Sequence, residues 1–156
     1  MAQEIERKFL FSPDGIDLSS YPHVNYRQGY LMRDGATLRI RIAGDKAFLT
    51  LKGVTRGISR SEFEYPVPVE DAEQILKEFC GSSIIEKERY FVEWKGSKWE
   101  CDVFAGTNKG LFLAEIELSS EEEYFEIPDW IIKEVSGDSR FYNSRLVRFP
   151  FSTWAT

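Results

Sequence analysis

The chain has 156 residues, 42% hydrophobic and 29% charged, which excludes a disordered polymer and suits one globular domain, residues 1–156, with its own core. A formal net charge of −6 excludes the basic face of a general nucleic-acid binder, so no nucleic-acid partner is expected. No apolar run approaches the roughly 18 residues of a membrane span, and Glu4, Glu6, Arg7 and Lys8 interrupt any leader-like start, so no membrane partner and a cytoplasmic location are expected.

Taken in chain order, period-2 alternation bounded by turn residues predicts eight strands: Gln3–Phe11, Asn25–Met32, Thr37–Ala43, Ala47–Val54, Ser59–Pro66, Ser83–Trp94, Lys98–Phe104 and Leu111–Leu118. Asp34-Gly35, Gly44-Asp45 and Gly96-Ser97 are tight-turn signals and Gly106–Gly110 a looser one, so the sheet should be antiparallel. Three stretches read as helical. Glu70–Phe79 opens with acids and spaces Ile75, Leu76 and Phe79 helically before Gly81; Ser119–Phe125 can be capped by Ser119 or Ser120; Ser139–Leu146 follows. The tail Phe149–Trp154 is aromatic enough to be expected to dock.

Cys80 and Cys101 stand far apart with no CxxC, and His23 is the lone histidine, so neither a zinc cage nor a Ser-His-Asp triad is expected. Both cysteines read as small core residues in a reducing compartment.

The polar positions of the strands are fully charged and come in pairs two residues apart: Glu4/Glu6/Lys8, Arg39/Arg41, Glu62/Glu64, Lys87/Arg89, Glu100/Asp102 and Glu115/Glu117, with Lys52 alone. Residues i and i+2 share a strand face, so one face is charged and the other largely core. Any single pair fits a solvent-facing sheet surface. The set fits something else, because a solvated face mixes in Ser, Thr, Asn and Gln. If the eight strands close, the charged face becomes a lumen of opposed signs, wide enough for one small ligand. The expected fold class is therefore α+β, predominantly antiparallel β: an eight-stranded closed β-barrel with a few flanking helices.

Unpaired charges in such a lumen would be prohibitively costly, so the two signs must neutralise each other or a charged ligand must join them. Lys8, Arg39, Arg41, Lys52, Lys87 and Arg89 suit an oligophosphate, since guanidinium forks bind phosphate bidentately. Carboxylates do not bind phosphate directly but do bind Mg²⁺ or Mn²⁺, hard ions that share oxygen ligands between protein and substrate phosphate. The ligand predicted by this alternation is a polyphosphate with its metal.

The segment Glu4-Ile5-Glu6-Arg7-Lys8 resembles the N-terminal Glu-x-Glu-x-Lys of the CYTH superfamily, the triphosphate tunnel metalloenzymes. Arg39-x-Arg41, Lys52, Glu62-x-Glu64, Lys87-x-Arg89, Asp102 and Glu115-x-Glu117 follow in matching order over essentially the whole chain. Short bacterial members, similar also in Arg27-Gln28-Gly29-Tyr30, Asp102–Gly106 and Tyr142-Asn143, look like inorganic triphosphatases. The resemblance implies the eight-stranded tunnel and hydrolysis of tripolyphosphate to diphosphate and phosphate. By position it implies metal at Glu4, Glu6, Glu115, Glu117 and Asp102, and phosphate at Lys8, Arg39, Arg41, Lys52, Lys87 and Arg89. Glu62 and Glu64 would position metal or water, and a Tyr/Lys pair falls on Tyr30 and Lys87. Tyr30, with an ammonium near its phenolate, and a carboxylate such as Glu62 or Glu117 are competing proton acceptors.

Rival readings stay within reach of the same residues. A class IV adenylyl cyclase or a thiamine or nucleoside triphosphatase would use a similar tunnel with ATP or thiamine triphosphate, and would need a base-stacking element such as Trp94, Trp99, Trp130 or Trp154. A non-catalytic polyphosphate or nucleotide sensor would have no need of the metal-binding acids. The oligomeric state is left as monomer or homodimer.

Overall fold

The structure, a computed structural model, describes residues 3–81 and 84–154, and its strands close on themselves. In chain order they are β1 (Gln3–Phe11), β2 (His23–Arg33), β3 (Ala36–Ala43), β4 (Lys46–Lys52), β5 (Ser59–Val67), β6 (Ile84–Trp94), β7 (Ser97–Phe104), β8 (Phe112–Glu117) and β9 (Ile131–Glu134). All neighbours pair antiparallel in the order β5-β4-β3-β2-β6-β7-β8-β1, and β1 returns to β5. This is the expected eight-stranded barrel, with β9 added. Ser83, the expected first residue of the sixth strand, lies outside the described residues.

Strand β1 closes the barrel by changing partner along one edge. Gln3–Ile5 ladder with Ser59–Ser61 of β5, whereas Phe9–Phe11 ladder with Ile131–Glu134 of β9. Between them the backbone is satisfied locally: Glu6 N–H donates to Ile58 O at 3.2 Å and Lys8 N–H to Ser136 Oγ at 2.9 Å. β9 escaped the sequence reading because a four-residue strand is too short for period-2 alternation to register.

The hairpins follow the turn residues. Asp34-Gly35 has positive φ at both positions (51° and 82°), the twist that suits a two-residue antiparallel hairpin. The turn expected at Gly96-Ser97 falls one residue earlier, at Lys95-Gly96, with φ of 46° and 81°.

Two expected helices differ. Ser119–Phe125 is a bend and turn, closed by the Glu123 carboxylate, which accepts from Ser119 N–H and Oγ–H at 2.6 Å each. Three consecutive glutamates leave no apolar stripe to hold a helix there. Ser139–Leu146 is interrupted at Tyr142, which is extended (φ −70°, ψ 132°), giving a 3₁₀ turn at Ser139–Phe141 and a short α2 at Asn143–Leu146. The first helix, α1 (Val69–Ile75), runs on through a π turn at Leu76–Cys80 to Gly81.

The apolar strand faces point outward and are covered on two walls, while Leu31, Leu51 and Phe63 stay exposed. Ala72 and Leu76 pack on Ile40, Ile42 and Ala47 of β3 and β4. On the opposite wall Phe9, Phe11, Trp99, Cys101, Ile116 and Trp130 form a second core, with aromatic rings edge to face at 5.5–6.1 Å. His23 opens β2, stacks on Tyr90 at 4.9 Å and meets Glu88 at 2.9 Å. Among the described residues no helix is long and apolar enough to cross a membrane.

Candidate active site

The lumen is charged for most of its length and then turns apolar. Two residues beyond Lys8, Lys87, Asp102 and Glu115, the same strand faces carry Leu10, Ile85, Phe104 and Leu113, which pack with Phe141 and Leu146 from the C-terminal segment. Phe151 and Trp154 of the aromatic tail lie against this cluster, and Phe151 N–H donates to Asn108 Oδ1 at 2.8 Å. The charged part therefore ends on a hydrophobic floor. Above it lies a cavity of about 300 Å³, lined by Glu4, Glu6, Lys8, Tyr30, Arg39, Arg41, Lys52, Glu62, Glu64, Lys87, Arg89, Glu115 and Glu117.

The cations of this cavity differ sharply in how far they are neutralised. Arg89 is the most fully paired: it binds both oxygens of Asp102 at 2.8 and 2.9 Å and meets Glu115 at 2.7 Å and Glu100 at 3.3 Å. Lys52 pairs with Glu4 at 2.9 Å and Glu62 at 3.2 Å, and Lys8 lies 3.5 Å from Glu115 and donates to Phe141 O. Lys87 donates to Asp102 at 2.7 Å and to Asn143 Oδ1 at 3.0 Å; burial, with Arg89 and Arg41 nearby, pulls its ammonium down to about 7 despite Asp102.

Arg39 and Arg41 are left short of partners. Arg41 enters no ion pair among the described residues, and burial beside Arg39 and Arg89 lowers it to about 10. Its Nε donates to Gln28 Oε1 at 2.7 Å and its guanidinium lies 4.5 Å from the Tyr26 ring centroid. Arg39 is 6% exposed, reaches Glu64 only at 3.4 Å, and has a buried Nε with no hydrogen-bond partner among the described residues. A buried guanidinium N–H without an acceptor is costly unless an anion arrives to take it.

The acids crowd the opposite side. Glu6 stands across from Glu117 in the β1–β8 register. Burial and the neighbouring Glu115 and Glu4 carboxylates hold Glu6 well above the usual carboxylate range, and burial with Glu4 and Glu100 raises Glu117. Glu115 is different: burial would raise it, but Lys8, Arg89 and Lys87 outweigh that and hold it well below.

The CYTH domain family matches residues 2–142. The chain belongs to the CYTH family. Among its relatives, a protein of Acetivibrio thermocellus named inorganic triphosphatase is 46% identical over 155 residues, covering 99% of each chain. One of Nitrosomonas europaea, with the same name, is 40% identical over 150 residues, 92% of this chain and 95% of the relative. A crystal structure described as an inorganic triphosphatase is 36% identical, covers 94% of this chain and 95% of its own, and superposes with a TM-score of 0.66. A Pyrococcus horikoshii OT3 structure, at 18% identity and TM-score 0.59 over 76% of this chain and 79% of its own, shares the fold.

In this CYTH barrel every candidate metal, phosphate or catalytic residue named from sequence lines the cavity except Asp102, and none of the four candidate stacking tryptophans does. Asp102 is 1% exposed and lies on the lumen face below the cavity lining, both oxygens held by Lys87 and Arg89. Tyr30 and Lys87 both line the cavity, but in the β2–β6 register Lys87 faces Tyr26, and Tyr30 Oη is reached from Gln28 Nε2 at 2.6 Å. Tyr26 and Arg60, which the sequence reading passed over, also line it, as do Glu100, Tyr142 and Asn143, which it named without a role in the site. Arg60 shares the face of Glu62 and Glu64, and Tyr26 that of Tyr30, so strand parity could have found both.

Family membership implies a divalent metal. Among the described residues no three acids already stand in metal-ligating geometry. The donor set nevertheless fits a hard cation: Glu6 and Glu117 face each other, are in no ion pair among the described residues, and are disfavoured as carboxylates by burial and then by like charge, which a divalent ion would offset.

Proposed function

We propose that this chain hydrolyses inorganic tripolyphosphate to diphosphate and phosphate inside the barrel, with Mg²⁺ or Mn²⁺. The carrying observation is the pair of guanidiniums under-satisfied among the described residues, Arg41 without an acid and Arg39 with a buried, partnerless Nε, in a cavity with a closed floor. Guanidinium forks match phosphate oxygens, and a polyanion supplies the missing acceptors. The near-full-length likeness to proteins named inorganic triphosphatase supports the same reading.

In this reading Arg39, Arg41, Arg89, Lys8, Lys52 and Lys87 bind and align the phosphate chain, and the arginines offset charge on the departing diphosphate. Glu4, Glu6, Glu115 and Glu117 would hold the metal, which when bound neutralises phosphate charge and makes water more acidic. Asp102 acts by fixing Lys87 and Arg89, since both its oxygens are already engaged. Water attacks the terminal phosphorus in line, the bridging P–O bond breaks, and the proton of the attacking water passes to a base of the cavity wall, Tyr30 or a carboxylate such as Glu62. Glu64, hydrogen-bonded by Thr50 Oγ1 at 3.1 Å, completes the acidic side that positions that water. The two free cysteines suit a reducing compartment and support a cytoplasmic site of action.

Phosphate release from tripolyphosphate, ATP and thiamine triphosphate, measured in parallel with Mg²⁺, Mn²⁺ or EDTA and with Glu4→Gln as control, tests this. Metal-dependent cleavage of tripolyphosphate ahead of the other two, abolished by Glu4→Gln, is the expected result. Binding without release from any of them would overturn it in favour of a sensor, and cyclic AMP from ATP in favour of a cyclase.

A further inference from the structure

Gln28 has no exposed surface, and its amide is engaged at every hydrogen. Oε1 accepts from Arg41 Nε at 2.7 Å, while Nε2 donates to Tyr30 Oη at 2.6 Å and to Asn143 Oδ1 at 3.3 Å. Asn143 Oδ1 also accepts from Lys87 Nζ at 3.0 Å. The reversed amide would set an N–H against the Arg41 Nε–H and an oxygen against the Asn143 oxygen, so the network admits a single orientation. An uncharged side chain thus joins Arg41, Tyr30 and, through Asn143, Lys87.

We infer that Gln28 is a positioning residue for the hydrolysis, aiming the Arg41 guanidinium and setting the hydrogen-bond polarity of Tyr30; this rests on the triphosphatase reading above. Because Gln28 takes Nε, both terminal nitrogens of Arg41 stay available for phosphate oxygens, and the Tyr26 ring fixes the guanidinium from the side. An amide holds the arginine without cancelling its charge, which a carboxylate at this place would do. Tyr30 Oη already accepts from Gln28, so its own O–H turns to a different acceptor. Asn143 carries the same network into the C-terminal segment that builds the floor.

The test uses Gln28→Met, unbranched and of similar volume, and Gln28→Glu. Tripolyphosphate binding is measured by calorimetry in EDTA, and turnover with Mn²⁺ in wild-type and Tyr30→Phe backgrounds. Gln28→Met should weaken binding and raise KM about tenfold through Arg41, the loss expected for a hydrogen bond to a charged group. It should lower kcat when Tyr30 is present and leave kcat of Tyr30→Phe unchanged. Gln28→Glu should bind more weakly still. Folded variants with wild-type KM, or an equal loss of kcat in both backgrounds, would overturn the inference. Should the variants not fold, the ¹⁵N resonance of the Arg41 Nε–H, assigned with Arg41→Lys, decides: slow exchange with water in the ligand-free wild type supports the brace, and fast exchange overturns it. Wild-type protein that neither binds nor cleaves tripolyphosphate sinks the triphosphatase reading instead, while the exchange measurement still judges Gln28.

Discussion

Lys87 Nζ lies 2.7 Å from Asp102 Oδ2, and both side chains are 1% exposed. Asp102 is shared with Arg89, so one acid anchors two cations of the phosphate site. Burial would raise its carboxyl, but Arg89 and Lys87 outweigh that and hold it below the usual range. Such a group stabilises the fold above its unfolded value and loses that contribution as pH falls through its lowered one. Asp102→Asn removes it at neutral pH by breaking the buried pair with Lys87 and taking from Arg89 one of its three acids, a loss of about 3–5 kcal/mol. We expect a large drop in melting temperature at pH 7 that narrows in acid, with Mn²⁺ affinity measured by electron paramagnetic resonance unchanged. Weakened Mn²⁺ binding in the folded variant would return Asp102 to the metal ligands.

Glu6 behaves oppositely. Burial and the carboxylates of Glu115 and Glu4 raise its carboxyl, so its ionised form opposes folding at neutral pH, and that penalty disappears as pH falls below the raised value. Glu6→Gln should therefore melt higher than wild type at pH 8, by about 2–4 °C for each kcal/mol relieved, with the advantage fading in acid. The same change should weaken Mn²⁺ binding and cut metal-dependent turnover by about a hundredfold or more. A variant less stable than wild type at pH 8 would show that Glu6 is already compensated in the ligand-free protein.

These two acids show what the sequence could and could not tell. Strand parity placed both Glu6 and Asp102 on the lumen face, and the structure keeps that assignment. Parity is silent on depth. Asp102 lies one step above the floor built by Phe104, Leu113 and Phe141, and Phe141 belongs to a segment whose extended Tyr142 no helical pattern announced. Gln28 entered only as part of Arg27-Gln28-Gly29-Tyr30, without a role, for a related reason: a lone amide between Arg27 and Gly29 breaks no charge rule, and its role appears only when β3 and the C-terminal segment meet it in space. The barrel itself was legible because eight strands with one charged face have few ways to satisfy that face.

Lys87 gives a proton-linked binding signature. Its ammonium is pulled down to about 7 by burial and by Arg89 and Arg41, with Asp102 opposing, so at pH 8 most ligand-free molecules carry it neutral. A polyphosphate beside it favours the charged form, so binding at pH 8 should take up a proton and binding at pH 6 should not. Calorimetry of tripolyphosphate in EDTA, in two buffers of different ionisation enthalpy, reads this as the difference between wild type and Lys87→Met. Equal proton uptake by the two proteins at pH 8 would mean that Lys87 is charged throughout.

The floor of the lumen ties stability to phosphate binding. Phe141 is 5% exposed, packs with Phe104, Leu113 and Leu146, and meets Trp154 edge to face at 5.2 Å. Its carbonyl accepts from Lys8 Nζ at 3.2 Å, so the residue that fills the floor also holds a phosphate-site lysine. Phe141→Ala should cost about 3–5 kcal/mol by opening a cavity, and the slackened backbone should raise KM for tripolyphosphate in the protein that remains folded. Trp154 is half-buried at the edge of the same cluster, its indole N–H bonded to Phe149 O at 3.1 Å, so Trp154→Ala should cost less and leave KM near wild type. Thermal melts paired with KM for both variants check the link. A destabilised Phe141→Ala enzyme with unchanged KM would show that the floor supports the barrel without positioning Lys8.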